Sequence, residues 1–115
     1  MSPTIVKKDG KPYAVIGTPG GSTIITSVFQ TLLNILEFDM SAYDAVNKPK
    51  FHHQWMPDLI HVEKSFDPEL RKELEAIGYV VKERANIGRT EVLLIRNGVI
   101  EAVGDNRGDD SVAGL

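Results

Sequence analysis

Two adjacent glycines, Gly20 and Gly21, lie where an extended segment gives way to an apolar helical pattern. They belong to the stretch "GTPGGSTIITSVFQTLL", residues 17–33. Glycine has no Cβ, so another group can approach its backbone closely. The first N–H groups of a helix have no intrahelical partner and lie at the positive end of the helix dipole. The residue types and their order therefore predict backbone amides that can bind an anion.

The spacing excludes two of the three anion sites that such a turn can form. A Walker phosphate loop needs a lysine after its last glycine, and a dinucleotide fingerprint needs glycines in a different spacing. The segment "GTPGGST" has neither pattern. An oxyanion hole needs only two neighbouring backbone N–H groups and fits without any side chain. From spacing alone, a plain strand-to-helix turn that uses glycine is the favoured interpretation, and an oxyanion hole is the alternative.

The three histidines, His52, His53 and His61, do not have the spacing of a metal site. Zinc ligands usually lie at i, i+4 or similar separations and are accompanied by carboxylates or cysteines. Two of these histidines are adjacent, and the chain contains no cysteine. We therefore expect histidines packed beside Trp55 in a connector, and neither a metal nor a cofactor.

A pair of acids in the C-terminal tail, Asp109 and Asp110, has the residue type for calcium binding or acid–base chemistry. The polar, small-residue composition of "NRGDDSVAGL" favours a solvated loop instead. No convincing Ser-His-Asp triad can be assembled from these residues, and the sequence contains no Gly-x-Ser-x-Gly elbow. The residues by themselves predict a scaffold with an anion cradle rather than a complete reaction centre.

The composition is that of one globular unit spanning residues 1–115. The chain is 42% hydrophobic and 25% charged, with a formal net charge of −3. A phosphate-binding surface needs a basic stripe, so this charge argues against a nucleic-acid partner. The longest charge-free stretch, residues 12–36, is interrupted by the Pro-Gly-Gly turn, which argues against a membrane span. The first residues show no signal-peptide pattern.

The predicted order of elements is β-β-α-α-β-α-β-β-β, an α+β class with mostly antiparallel strand pairing. Turn signals at Asp9-Gly10 and Asn97-Gly98 predict two hairpins. Ser41 is a candidate N-cap, and Asp67 begins a helix that ends at Gly78. The predicted segments are 4–7, 13–17, 24–36, 41–48, 59–63, 67–77, 79–82 and the two arms of the hairpin over 90–105, with 51–58 as an irregular connector.

The helix predicted over residues 24–36 has an uncharged polar side. Apolar residues recur at helical spacing, while the opposite side carries serine, threonine, glutamine and asparagine. An exposed helix face usually carries charges. We therefore expect both faces to be covered, one by a sheet and the other by further protein.

Four segments together resemble a known family. They are "MSPTIV", "GTPGGSTIITSVFQTLLNILEFDMSAYDAVNKPKFHHQWMPD", "VEKSF" and "DNRGDDSVAGL". In order and residue type they resemble the C-terminal end of gamma-glutamyltransferase, also called gamma-glutamyl transpeptidase, over essentially the whole chain. The Pro-Gly-Gly-Ser block and the Ala-Val-Asn…His-His-Gln-Trp block are the most specific parts of the resemblance.

Members of this family are N-terminal nucleophile hydrolases, so the resemblance implies part of an αββα sandwich. Their precursor cleaves itself, and the freed threonine attacks the gamma-glutamyl amide of glutathione or a similar donor. Water or an acceptor amine then resolves the acyl-enzyme. The family holds the oxyanion with the two glycines of the Pro-Gly-Gly-Ser block, which implies the backbone N–H groups of Gly20 and Gly21. With the resemblance, the oxyanion hole becomes the preferred interpretation.

The resemblance also implies that the chain is the C-terminal part of a small subunit. The nucleophilic threonine, the donor-binding residues and a Ser-Ser pair belong upstream of the matched segment, so the isolated chain is expected to be inactive. Its implied partners are the remainder of the parent enzyme and glutathione or another gamma-glutamyl donor. The implied location is the periplasm or the medium. Separated from its parent, the fragment is expected to expose apolar faces and to self-associate.

Two alternatives stay open beside this interpretation. One is a non-catalytic, free-standing domain that binds only an anion or a partner, and the other is part of a cephalosporin-acylase-like amidase with the same core. Lys50, Glu91, Asn106 and Leu115 stand where the family more often has arginine, glutamine, proline and an aromatic residue. These departures leave the acceptor preference and the balance between hydrolysis and transpeptidation open.

Overall fold

A computed structural model describes residues 1–114; Leu115, one of the departures named above, lies outside the described residues. Short loops join helices and strands throughout. The elements are β1 (Thr4–Lys8), β2 (Lys11–Gly17), α1 (Thr23–Leu36), α2 (Ala42–Asn47), β3 (Phe51–His52), β4 (Ile60–Glu63), α3 (Pro68–Ile77), β5 (Val81–Arg84), β6 (Glu91–Arg96) and β7 (Val99–Val103).

The strands form two sheets. The first has the order β1-β2-β6-β7 and is antiparallel throughout, and the second has the order β3-β4-β5. In the second sheet β3 pairs antiparallel with β4, and β4 pairs parallel with β5. Asp9-Gly10 and Asn97-Gly98 have positive φ at both residues, as the tight hairpin turns require. The predicted α+β class with mostly antiparallel pairing is confirmed.

The main core lies between the first sheet and the two N-terminal helices. Ile35 of α1 and the small residues of α2 pack on inward-facing residues of β2 and β6, which removes their apolar surface from water. This packing fixes where α1 begins relative to the end of β2, and so fixes the turn between them. The buried members are Ala14, Ile16, Ile35, Ala42, Ala45, Val46, Val92 and Leu94.

Helix α1 turns a stripe of hydroxyl residues, rather than its most apolar side, toward the interior. Ile25 and Phe29 are 77% and 60% exposed. Small hydroxyl side chains let the helix approach the chain beneath it more closely than leucine or phenylalanine would. The polar side is therefore the covered one. Val28 and Leu32 are partly buried against the main core, and the part of the apolar side with Ile25 and Phe29 is open among residues 1–114. The buried stripe is Thr23, Ser27, Thr31 and Ile35.

Two element predictions were wrong. The connector predicted over residues 51–58 contains β3, whose two residues are too short to give a periodic pattern and form a strand only because β4 lies beside them. The strand predicted over 79–82 begins two residues later, at Val81. Gly78 has φ +111° and the Tyr79 N–H still bonds the Leu74 carbonyl, so the helix-closing turn uses the first predicted strand residue.

Within the described residues, no helix combines the length and the apolar character that crossing a membrane would require.

Candidate functional site

The turn between β2 and α1 holds both glycines in backbone conformations that disfavour other residues. Gly20 has φ +138° and Gly21 has φ +58°. A Cβ on Gly20 would also come within 2.5 Å of the Thr23 hydroxyl, whereas a Cβ on Gly21 would meet open space. Gly20 is therefore required both by its conformation and by close packing.

The N–H groups of the two glycines are free to bind a ligand. Their carbonyls accept hydrogen bonds from the first turn of α1. The Thr23 N–H bonds the Gly20 carbonyl and the Ile24 N–H bonds the Gly21 carbonyl, both at 3.2 Å. Among residues 1–114, neither the Gly20 N–H nor the Gly21 N–H donates a hydrogen bond, and both glycines are exposed. The turn thus presents two adjacent amide donors at the head of a helix.

A third glycine, from a distant part of the chain, packs beneath this turn. Gly88, in the loop before β6, has φ +72°, and a Cβ there would come within 2.5 Å of the Ser27 hydroxyl. Its Cα lies 3.7 Å from the position that a Cβ on Gly20 would take. The next residue, Arg89, donates its N–H to Thr18 Oγ1 at 2.8 Å. No local feature of the sequence predicts this contact, because a lone glycine between β5 and β6 is typical of an ordinary loop.

His52 lies in β3, His53 in the loop that follows it and His61 in β4, and the side chain of Trp55 is not packed against them. His52 is buried, with Nδ1 2.7 Å from Thr26 Oγ1 and Nε2 3.0 Å from Gln54 Oε1. Its ring stacks on that of His61 with centroids 6.4 Å apart. Trp55 is 79% exposed, so the expected packing was wrong for that side chain. In the part of the chain that the structure describes, no three metal-ligating side chains come together.

The tail acids are bound by an arginine rather than free in solvent. Arg89 pairs with both Asp109 and Asp110, and the side chain of Asp110 is only 13% exposed. The hydrogen bond from Arg89 holds the pKa of Asp110 below its ordinary value. The expectation of a solvated loop was therefore wrong for Asp110, because the binding residue lies on a distant loop.

Glu63, at the end of β4, is buried, and each oxygen of its carboxylate accepts two hydrogen bonds. Oε1 accepts the Ile87 N–H at 2.8 Å and Arg107 Nε–H at 2.6 Å, while Oε2 accepts the Lys50 N–H at 2.8 Å and Arg107 Nη2–H at 2.6 Å. Burial raises the pKa of Glu63, but the bonds from Arg107, Ile87 and Lys50 outweigh it and hold the pKa below its ordinary value. This carboxylate is therefore an anchor and not a proton donor at neutral pH.

Arg107 extends the anchor to α2 and to the other sheet. Its Nη1 donates at 3.0 Å both to the Val46 carbonyl and to the Asp105 carboxylate. Asp105 also accepts the Thr90 N–H at 2.6 Å. Thr90 directly precedes β6 of the first sheet, and Glu63 ends β4 of the second. The carboxylate–arginine network, defined as Glu63, Asp105 and Arg107, thus joins the two sheets.

Lys50 is a buried cation beside this network. It is 2% exposed, and its Nζ donates to the Val46 carbonyl at 2.6 Å. Burial, and then the positive charge of Arg107, lower the pKa of Lys50 from 10.5 to about 8. Below pH 8 the ammonium is charged in the folded and in the unfolded chain, so its burial opposes folding there.

We expect the stability of the chain to rise with pH through this group. Between pH 8 and 10.5 the folded chain binds fewer protons than the unfolded chain at Lys50, so the free energy of unfolding increases, by about 3 kcal/mol over the whole window. Urea unfolding at pH 8 and pH 10, at one protein concentration, should show this rise in the unchanged chain and lose it in Lys50→Met. Equal pH dependence in both proteins would contradict the assignment.

An open groove of about 970 Å³ lies away from the glycine turn. It is lined mainly by charged and amide side chains, and Glu63 and Arg107 in it already bond each other. Neither glycine lines it.

Comparisons with known proteins place the whole chain in one family. The sequence model described as Gamma-glutamyltranspeptidase matches residues 1–115. The glutathione hydrolase proenzyme of Escherichia coli (strain K12) is 45% identical over 116 residues, which covers 99% of this chain and 20% of the relative. The glutathione hydrolase proenzyme of Pseudomonas aeruginosa is 39% identical over 113 residues, which covers 94% of this chain and 20% of the relative. The chain thus spans about a fifth of these relatives.

Solved structures of gamma-glutamyltranspeptidases also resemble this chain. The gamma-glutamyltranspeptidase from Pseudomonas nitroreducens complexed with L-DON has a TM-score of 0.92 at 34% identity, covering 100% of this chain and 62% of that one. A cephalosporin acylase from Bacillus halodurans has a TM-score of 0.88 at 22% identity, which shows the shared fold alone. The expected fold class, part of an N-terminal nucleophile hydrolase, is confirmed. With the family model matching from the first residue to the last, the chain belongs to the gamma-glutamyltranspeptidase family.

Proposed function

We propose that these residues are the C-terminal part of the small subunit of a gamma-glutamyltransferase or glutathione hydrolase, and that Gly20 and Gly21 form its oxyanion hole. The observation that carries the proposal is the pair of adjacent, exposed N–H groups that donate to nothing within residues 1–114. Family membership supports a gamma-glutamyl amide such as glutathione as the proposed substrate of these donors.

The proposed reaction is acyl transfer through a threonine ester. The threonine hydroxyl attacks the gamma-carbonyl carbon, and the carbonyl oxygen becomes an anion that the two glycine amides bind. Collapse of this intermediate breaks the C–N bond, and the amine leaves with the proton that the threonine hydroxyl gave up. Water or an acceptor amine then attacks the acyl-enzyme, and its proton returns to the threonine oxygen as the ester bond breaks. Donors held in place before the reaction stabilise the developing charge without having to reorganise, which is why such amides have large effects on rate.

The nucleophile and the groups that select the donor are proposed to lie in the rest of the enzyme. The chain covers 20% of its E. coli relative, so the remaining protein is the proposed partner, and residues 1–115 act as one unit within it. The exposed apolar side of α1, with Ile25 and Phe29, is the proposed contact with that protein. By family, the parent enzyme is proposed to act in the periplasm or outside the cell.

The separated 115-residue chain should be inactive and self-associated. It carries the oxyanion donors without an attacking group, and it exposes apolar residues that seek partners. A chromogenic gamma-glutamyl anilide gives a direct activity assay, and sedimentation velocity gives the association state. Turnover by the purified chain would overturn the assignment of the nucleophile to the rest of the enzyme, and a clean monomer would contradict the proposed apolar contact.

A fusion tests the same proposal from the other direction. The chain should restore activity when it replaces the matching last fifth of the E. coli glutathione hydrolase, to which it is 45% identical. The expected result is self-cleavage of the fusion and release of the aniline from the gamma-glutamyl anilide, whereas the E. coli part alone gives neither. A fusion that cleaves itself but cannot hydrolyse the anilide would instead favour the non-catalytic domain.

The cephalosporin-acylase-like alternative has weaker support. The acylase from Bacillus halodurans is 22% identical, against 45% for the E. coli glutathione hydrolase. Testing the full-length enzyme that carries this segment with a cephalosporin side-chain amide beside the gamma-glutamyl anilide distinguishes the two acyl groups, because the groups that select the acyl moiety are proposed to lie outside residues 1–115.

A further inference from the structure

The two candidate N–H groups belong to peptide units whose carbonyls are both held by hydroxyl groups. In a trans peptide the C=O and the N–H point in opposite directions within one plane. The Gly20 N–H shares its plane with the Pro19 carbonyl, and the Gly21 N–H shares its plane with the Gly20 carbonyl. The group that binds each carbonyl therefore sets the direction of the neighbouring N–H.

Thr18 holds the first of these carbonyls. Its hydroxyl donates to the Pro19 carbonyl at 2.8 Å, and the side chain is fully buried. A hydroxyl has one proton to donate, and the oxygen of Thr18 already accepts the Arg89 N–H at 2.8 Å. With its acceptor side occupied from the loop beneath, the hydroxyl proton is directed to Pro19 and the Gly20 N–H is directed outward.

Thr23 holds the second carbonyl. Its hydroxyl donates to the Gly20 carbonyl at 2.9 Å, and its own N–H bonds the same oxygen at 3.2 Å. Thr23 is 3% exposed, so water competes little for this hydroxyl. The Gly20 carbonyl is thus fixed on the interior side, and the Gly21 N–H on the open side.

We infer that Thr18 and Thr23 are positioning residues, which aim the Gly20 and Gly21 amides by holding the carbonyls of the same two peptide units. The inference rests on the proposed oxyanion hole. It assigns a role to two side chains that touch no substrate, and it explains why a helix with an apolar side turns its hydroxyl stripe toward the interior at this end. Gly88 completes the arrangement because its missing Cβ leaves room for Thr18 and Ser27.

The test uses isosteric changes in the full-length enzyme that carries this segment. Thr18→Val and Thr23→Val remove the hydroxyl and keep the branched shape. Each should lower kcat about fivefold to tenfold, the scale of one hydrogen bond, with KM unchanged. The inhibition constant Ki of a gamma-phosphonate analogue, which is tetrahedral like the intermediate, should rise by the same factor. Ki of glutamate, whose gamma-carboxylate is planar, should stay constant. Thr18→Ser and Thr23→Ser should restore both quantities.

Thr31→Val is the matched control. Thr31 lies on the same stripe of α1, is fully buried, and has a hydroxyl with no hydrogen-bond partner within residues 1–114. Its kcat should match that of the unchanged enzyme. All rates are divided by the concentration of active sites, measured from the first-turnover burst of released amine, so a variant that only folds poorly keeps its kcat.

The possible outcomes separate the inference from the function on which it rests. If the valine variants lose thermal stability but keep kcat and the phosphonate Ki, the threonines are only structural and the inference is overturned. If a backbone ester at Gly21 leaves kcat unchanged, the oxyanion hole itself is wrong. If the ester lowers kcat and the valine variants do not, the oxyanion hole stands without the positioning role.

Discussion

Replacing the Gly21 N–H by an ester oxygen should lower kcat of the full-length enzyme by about 10² to 10³. The change, Gly21→glycolic acid, deletes one hydrogen-bond donor and adds no atom to the turn. The donor acts where charge develops in the transition state, so KM for the gamma-glutamyl donor should change little. Steady-state kinetics on the anilide measure both constants.

An ester is needed because simpler changes disturb the turn. Proline requires φ near −65°, whereas Gly20 and Gly21 have φ +138° and +58°, so a proline variant would misplace the chain and not merely delete a donor. Gly10→glycolic acid, in the hairpin turn with open space around it, is the matched control and should keep full activity. The ester also weakens the Gly20 carbonyl as an acceptor, and Thr23→Val measures how much that contributes. An unchanged kcat would show that the amide does not bind the oxyanion.

Glu63→Gln should reduce the free energy of unfolding by about 3–5 kcal/mol, the usual cost of breaking a buried ion pair by removing one partner. Glutamine has nearly the same shape, but its amide nitrogen would face N–H donors where the carboxylate accepts four hydrogen bonds. It would also remove one of the two carboxylates that pair with Arg107, whose side chain is only 10% exposed. Domains are stable by only about 5–15 kcal/mol, so urea unfolding should show a large loss.

The stability of the chain at acid pH provides a second measurement of the contact between Glu63 and Arg107. The folded-state pKa of Glu63 lies below its ordinary value, so its contribution is complete above the unfolded pKa and is lost as pH falls through the folded pKa. In the unchanged chain the contribution of Glu63 to the free energy of unfolding should be lost below about pH 4.5. The stability of Glu63→Gln should not show this loss. Glu83→Gln, on the neighbouring strand and exposed, should keep both stability and acid response. Equal stabilities of the two variants would contradict the anchoring role.

The sequence was most informative where a few neighbouring residues decide the structure. The Asp67 side chain caps α3 by accepting the Glu69 N–H, and Ser41 caps α2 in the same way. Gly78 ends α3 with positive φ. These features follow from hydrogen bonds and backbone preferences within about four residues, so residue order alone predicts them.

The errors concern contacts between distant segments. The two-residue strand β3 exists because β4 pairs with it, and Asp110 is covered because Arg89 binds it. The orientation of α1 is a further case: its apolar spacing does not say that Ser27 and Thr31 are the buried residues. Gly88 decides which side of α1 is buried, because only a residue without a Cβ at this position lets the hydroxyl stripe pack so closely against the loop before β6.

In the candidate site, too, some features depend on neighbouring residues and others on contacts between distant segments. Residue order by itself determined a glycine pair at the head of a helix, and with it two N–H groups that the helix cannot use. Only the tertiary structure decided which way those groups point, because Thr18 receives its second bond from Arg89, far along the chain. Direction depends on the partners of the carbonyls, and those partners come together only when the loop before β6 packs under the turn.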